Sequence, residues 1–224
     1  MKYFIANWKA HKNQKEVGIW INTFIKVLKN SPNIKSNLNN NKIQIVICPA
    51  FPFFFSLKEK IKEFNNIFIG SQDISKFDEG EYTGEVDGKM LQDYVDYVII
   101  GHSERRKLLN ENNEILFQKV KHAKKYDIKP IFCIRGEQDP IPKEVKIIAY
   151  EPVSAIGTGD NETLPNVLQI KQRLKISPDI KFLYGGSIDK NNALNYLKSD
   201  EIDGFLIGTA SLNAISFAEI ITKY

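Results

Sequence analysis

The stretch Tyr94–Ile134, YVDYVIIGHSERRKLLNENNEILFQKVKHAKKYDIKPIFCI, decides the fold. It opens on a β-branched, almost continuously apolar run, Tyr94–Ile100, and closes on another, Pro130–Ile134. Runs that are apolar throughout, rather than alternating, belong to strands buried on both faces, as in parallel sheets. Between them, Glu114–Ala123 places Ile115, Phe117, Val120 and Ala123 at helical spacing. Strand, amphipathic helix and strand in that order form one parallel βαβ unit.

The same alternation continues in both directions. Upstream, Lys2–Asn7, Lys42–Cys48 and Ile67–Ser71 read as strands; downstream, Val145–Tyr150, Lys181–Tyr184 and Gly204–Ile207 do. Helical patterns lie over Glu16–Leu28, Phe54–Phe64, Ser103–Leu109, Glu162–Leu174, Asn191–Leu197 and Asn213–Ile221. The 224 residues then form a single domain spanning the whole chain. A closed (β/α)8 barrel begins near ~200 residues, and this count of strands predicts one. An open doubly wound sheet is the rival, but it announces itself by a Gly-rich turn after the first strand, where Asn7-Trp8-Lys9 stands instead. The segment Gly84–Met90 fails as a phosphate loop, because its glycines are too close and Met90 follows Lys89. The Asn-rich segment Asn30–Asn41 reads as an exposed connection.

One unit is short. Residues 135–144 alone link the fifth and sixth strands, and they include Pro140 and Pro142. Parallel crossovers usually need a dozen or more residues, and proline opposes a helix interior. The fifth helix is therefore expected to be missing or reduced to a turn.

Composition narrows the function classes. Charged residues make up 26% and hydrophobic ones 42%, which excludes fibrous and disordered chains. A net charge of +4 suits an anionic small substrate and is too weak to argue for nucleic acid. No apolar run approaches the ~20 residues of a membrane span, and Met1–Ala6 reaches polar Asn7 too soon for a signal peptide. Cys48 and Cys133 lie in apolar strands and read as small buried hydrophobes. A cytoplasmic protein is expected, with no membrane or nucleic-acid partner. No Cys, His or carboxylate group shows metal-ligand spacing, so neither metal nor cofactor is expected.

In such barrels the chemistry sits on loops at the C-terminal strand ends. After the first strand come Asn7 and Lys9, a cation that could hold an anionic substrate. After the fourth come His102, Ser103 and Glu104. His102 opens a helix, and a helix N-terminus disfavours an imidazolium. Glu151 ends the sixth strand, where partial desolvation suits a general base. It is followed by Pro152-Val153-Ser154-Ala155-Ile156-Gly157-Thr158-Gly159, small, apolar and Gly-hinged, as a water-excluding lid would be. Gly185-Gly186-Ser187 and Gly208-Thr209 offer backbone amides where this fold often binds phosphate. Each residue alone has an ordinary structural reading. His11 and His122 have no such context and receive no role. A base, a neutral polariser, a cation and a phosphate cradle together suit proton abstraction α to a carbonyl on a small phosphorylated substrate.

Asn7-Trp8-Lys9, the Gly101–Arg106 run GHSERR, Ala149–Val153, Ala155–Gly159, Tyr184–Ser187 and Gly204–Leu206 together resemble the triosephosphate isomerase family, in the family's order. The resemblance implies a TIM barrel that interconverts dihydroxyacetone phosphate and D-glyceraldehyde 3-phosphate through an enediol(ate). It implies Glu151 as base, His102 as neutral electrophile, and Lys9 as the positive charge, with Asn7 beside it. It further implies phosphate binding by amides of Gly157, Ser187, Gly208 and Thr209, and Glu104 as a carboxylate supporting Lys9. Gln72 and Gly80–Glu85 resemble the family's protruding third loop, which implies a homodimer with Thr83 near the partner's active site.

Four positions depart from the family pattern: Ser154 stands for Trp in the lid, Thr209 for a glycine, His11 for Asn, and Arg135 is inserted. Two rivals stay open at this point. One is a lyase or synthase on another phosphate-binding barrel. The other is a catalytically degenerate phosphate-binding barrel that acts as a binding protein.

Overall fold

The computed structural model describes residues 1–152 and 161–224. Eight parallel strands close into one barrel in sequence order: β1 Lys2–Asn7, β2 Ile43–Cys48, β3 Ile67–Ser71, β4 Tyr97–Ile100, β5 Lys129–Ile134, β6 Ile147–Tyr150, β7 Lys181–Tyr184 and β8 Gly204–Ile207. Closure is by β1 against β8, with Tyr3 opposite Gly204 and Ala6 opposite Ile207. The helices are α1 Gln14–Asn30, α2 Pro32–Asn39, α3 Phe54–Ile61, α4 Gly88–Leu91, α5 Ser103–Leu108, α6 Asn113–Lys125, α7 Leu164–Leu174, α8 Ala193–Leu197 and α9 Ala214–Ile221. None of them is long and apolar enough to cross a membrane.

The continuous apolar runs have a direct cause. Alternate residues point into the barrel or out to the helices, and both sides are dry. Ile5, Val46, Ile99, Ile131, Ala149, Leu183 and Leu206 fill the interior. Phe4, Ile45, Val98, Phe132, Ile148, Phe182 and Phe205 pack outward beneath the helices. At about 25 cal/mol per Å² of apolar surface removed from water, burial on both faces makes each strand a main contributor to stability.

The Asn30–Asn41 segment is a helix for most of its length, not an exposed connection. Ser31 caps α2 by accepting from the Ile34 N–H, Pro32 occupies its first turn, and Ile34 and Leu38 are buried. An Ile–Leu pair four residues apart suffices to seat two turns of helix, even among asparagines. Asp87 similarly caps the short helix α4 inside the rejected phosphate-loop segment, accepting from the Met90 N–H.

No helix connects β5 to β6. The wall there is nonetheless closed: Phe132, Ile134 and Ile148 are fully buried. Val145, expected to start β6, instead lies buried just outside the strand, with Pro142 buried and Ile141 half-buried near it. The connection is pinned by a buried carboxylate. Asp139 Oδ2 accepts from the Arg135 main-chain N–H at 2.8 Å and from its Nε at 3.0 Å, and Oδ1 accepts from Arg135 Nη2 at 2.6 Å. Arg106 lies alongside, Nη1 to Asp139 Oδ1 3.9 Å. Arg106 also donates to the carbonyls of Gly101 (2.8 Å) and Cys133 (3.0 Å), and its guanidinium sits over the Phe132 ring. One cation thus replaces part of the absent helix and ties the ends of β4 and β5 together.

Candidate active site

Lys9 lies two residues past the end of β1 and holds φ at +52°, a left-handed conformation that costs a non-glycine residue energy unless its surroundings fix it. They do. The Asn7 side chain accepts from the Lys9 N–H at 3.1 Å. The Gln72 amide donates to the carbonyls of Lys9 and Cys48, both at 2.9 Å. The ammonium then reaches Glu104 Oε1 at 2.5 Å. It also lies against Gly208: a Cβ built there would stand 3.7 Å from Lys9 Nζ, so this glycine leaves room for the lysine beside the loop after β8.

His102 is turned by Gly101, whose φ of +77° suits glycine and whose missing side chain leaves room for Arg106. The ring caps α5, with Nδ1 accepting from the Glu104 main-chain N–H at 3.3 Å. That contact leaves Nδ1 unprotonated and puts the ring proton on Nε2. Nε2 faces Glu151 Oε1 at 2.9 Å. Burial lowers the His102 pKa, but the Glu151 carboxylate against the ring, aided by Glu104, outweighs burial, and the net direction is upward. The sequence argument for a neutral ring thus meets an opposing carboxylate that only the fold brings near.

Glu151 is almost wholly buried, its side chain 2% exposed. Its main-chain N–H donates to Ile134 O at 2.8 Å, across the β5–β6 seam. Its other carboxylate oxygen accepts from the Ser103 N–H at 2.8 Å. Gly185 lies directly above: a Cβ there would come 3.0 Å from Glu151 Cγ. Glutamate, imidazole and lysine therefore share one strand-end mouth, bridged by Glu104, whose Oε2 lies 3.7 Å from His102 Nδ1.

Around this centre, Gly208 and Ser187 are half-buried and Thr209 is exposed at the start of a 3-10 turn. The carbonyl of Ser187 accepts from Asn192 Nδ2 at 2.8 Å. Pro152 is buried beside Glu151. The lid residues Val153, Ser154, Ala155, Ile156, Gly157 and Thr158 lie outside the described residues. Just beyond them, Tyr150 Oη donates to the Glu162 carboxylate at 2.9 Å, and Tyr184 Oη accepts from the Glu162 N–H at 2.8 Å. Thr83 is exposed on the long β3–α4 loop, next to Gly84 and near the stacked rings of Phe77 and Tyr82. Cys48 and Cys133 are fully buried and unpaired, and burial pushes both thiols well up, as inert core residues require.

Sequence reasoning did not find the support that Gln72 gives Lys9, nor the Ser103 N–H on Glu151. The signal in both cases is a contact between different loops. No spacing within one loop reveals it.

Comparison with known proteins gives one answer. A family model described as "Triosephosphate isomerase" matches residues 2–144 and 139–224. The triosephosphate isomerase of Dictyoglomus thermophilum is 35% identical, with 98% of each chain covered. That of Mesomycoplasma hyopneumoniae strain 7448 is 35% identical over 99% of each. The crystal structure of triosephosphate isomerase from Bartonella henselae superposes with a TM-score of 0.80 at 26% identity, covering 100% of this chain and 98% of that one.

Proposed function

We propose that Glu151, His102 and Lys9 carry the chemistry of this chain, which belongs to the triosephosphate isomerase family. The enzyme interconverts dihydroxyacetone phosphate and D-glyceraldehyde 3-phosphate. In our reading the Glu151 carboxylate takes a proton from the carbon next to the substrate carbonyl. The electron pair of that C–H bond becomes the enediolate double bond, and the carbonyl oxygen takes up the charge. The hydroxyl proton of the first carbon passes to the charged oxygen by way of the His102 ring, and the same carboxylate returns the carbon-bound proton to the neighbouring carbon, so the reaction is balanced with no outside reagent. His102 Nε2–H donates to the substrate oxygens, and Lys9 stabilises the negative charge that develops on them.

The observation that carries this reading is the 2.9 Å contact between His102 Nε2 and Glu151 Oε1, made in a buried mouth. Base and polariser meet there, so a two-carbon unit that enters when Glu151 turns aside would have both within reach. When it does, the carboxylate that raises the His102 pKa leaves. The Glu104 N–H on Nδ1 and the surrounding burial then favour the neutral ring.

The phosphate is assigned to amides of Ser187, Gly208, Thr209 and Gly157, with Lys9 against Gly208 supplying the nearest cation. Thr209 is exposed and carries its own N–H, so its side chain need not enter the cradle. We also propose a homodimer in the cytoplasm. Thr83 would meet the partner, and exposed Phe51, Phe55, Met90 and Tyr94 supply apolar surface for the contact. The binding-barrel alternative rests on the lost helix, Ser154 and Thr209; the wall between β5 and β6 stays buried without that helix, which answers the first of these.

Turnover of glyceraldehyde 3-phosphate by the purified protein, with Glu151→Gln beside it, tests the assignment. Losing the base should lower kcat roughly 10²–10⁴-fold with little change in KM. A variant that turns over like the parent would remove Glu151 from this role.

A further inference from the structure

The connection that replaces the fifth helix does more than close the barrel wall. Asp139, its buried carboxylate, accepts from the Arg135 N–H at 2.8 Å. That N–H belongs to the peptide group joining Ile134 to Arg135. The carbonyl of the same peptide group accepts from the Glu151 N–H, also at 2.8 Å. Asp139 therefore holds one edge of a rigid amide plane whose other edge holds the main chain of Glu151. Beside it, Arg106 fixes the Gly101 carbonyl, one residue before His102, and the Cys133 carbonyl, one residue before Ile134. Asp139 Oδ1 lies 3.9 Å from the same guanidinium.

We propose that Asp139 is a positioning residue for the isomerisation: it sets the main-chain anchor of Glu151 through the Ile134–Arg135 peptide group. The proposal rests on Glu151 being the base. A helix after β5 would supply rigidity through its own hydrogen-bond ladder. This chain has no such ladder between β5 and β6, and one carboxylate with acceptors for a main-chain N–H and two arginine donors takes that place. Among the described residues, the hydrogen bonds of this peptide group go to Asp139 and Glu151 and not to the substrate-binding groups after β1, β7 and β8, so the effect falls on the proton transfer and not on substrate affinity.

The test measures kcat and KM for Asp139→Ala, Asp139→Asn and Val145→Ala, each well below its own melting temperature. Val145 is buried in the same connection, and its main-chain N–H donates to the Pro142 carbonyl rather than to Asp139, so truncating its side chain reports simple loosening of the wall. Small displacements of catalytic groups from a distance can cost up to about 100-fold in rate. For Asp139→Ala we expect kcat to fall about tenfold while KM stays within about twofold. Asp139→Asn keeps an acceptor for the Arg135 N–H and should recover most of that rate despite losing the charge. Val145→Ala should keep the parent kcat.

Parent-like kcat in Asp139→Ala overturns the proposal. So does an Asp139→Asn variant as slow as Asp139→Ala, or a Val145→Ala variant equally slowed. If Asp139→Ala does not fold, Asp139→Leu, which keeps the bulk and removes the acceptor, replaces it: a kcat well below that of Asp139→Asn supports positioning by the acceptor, and equal rates in the two refute it. Glu151→Gln, run in parallel, reports on the base assignment separately. An active Glu151→Gln would overturn that reading whatever Asp139 does.

Discussion

The β4–β5 and β5–β6 connections solve one problem in two ways. The first uses α5 and α6, and buries Leu116, Val120 and Ala123 against the wall. The second uses no helix and covers the wall with Val145, Pro142 and Ile141, locked by Asp139. Both leave the strands beneath them dry. A parallel crossover must span the sheet and exclude water; a helix is the usual way to do this because it satisfies its own backbone. Where the connection is short, side-chain acceptors and a buried arginine satisfy the backbone instead. The two connections share Arg106, which belongs to α5 but serves the β5–β6 side as well.

The sharpest way to break the comparison is at that shared residue. Arg106→Ala strips the donors from the Gly101 and Cys133 carbonyls and leaves Asp139 with less compensation. Loss of one partner from a buried charge pair costs about 3–5 kcal/mol, and chemical denaturation should show a loss in that range. A loss under about 1 kcal/mol would mean that the two connections are independent after all.

Truncating the apolar covers tests whether they are equivalent. Leu116→Ala should cost about 2–5 kcal/mol, by lost transfer free energy and the cavity left behind. Val145→Ala removes fewer carbons and should cost about 1–2 kcal/mol. If Val145 proved the costlier of the two, the short connection would be the more tightly packed wall, and the helix the looser one.

The smallest expected difference is in acid. Burial disfavours the charged forms of both Asp139 and Glu111. The Arg135 side chain and main-chain N–H, with Arg106, outweigh that for Asp139; Lys119 and Arg105 outweigh it for Glu111. Both carboxyls are held below their ordinary values. A depressed pKa contributes stability that is complete above the unfolded value, and that is lost as pH falls through the folded one. The melting-temperature gap between the parent and Asp139→Asn should therefore be full near neutral pH and shrink below about pH 4. A gap unchanged down to acid pH would show that the Asp139 charge adds nothing.

Much of this was legible in the chain because parallel strands advertise themselves. Lys2–Asn7, Ile67–Ser71, Lys181–Tyr184 and Gly204–Ile207 match the observed strands end to end. Helix α2 was not legible, because its two buried apolar residues, Ile34 and Leu38, sit among asparagines that usually mark turns. Val145 reads as strand in the sequence because the strand and its plug are equally apolar. Lys9, His102 and Glu151 stood out as polar residues directly after apolar runs, which is where barrel loops place reactive groups.

The sequence by itself determined the closed (β/α)8 barrel, the lost fifth helix, and the family to which the chain belongs. Those follow from periodicity, proline placement and local motifs, all of which are properties of neighbouring residues. Only the tertiary structure decided that Glu151 rests on His102 and the Ser103 N–H, that Gln72 holds the strained Lys9, and that Asp139 reaches the peptide anchoring Glu151. Hydrogen bonds are directional and short, and these partners come together only when the strands close into a ring.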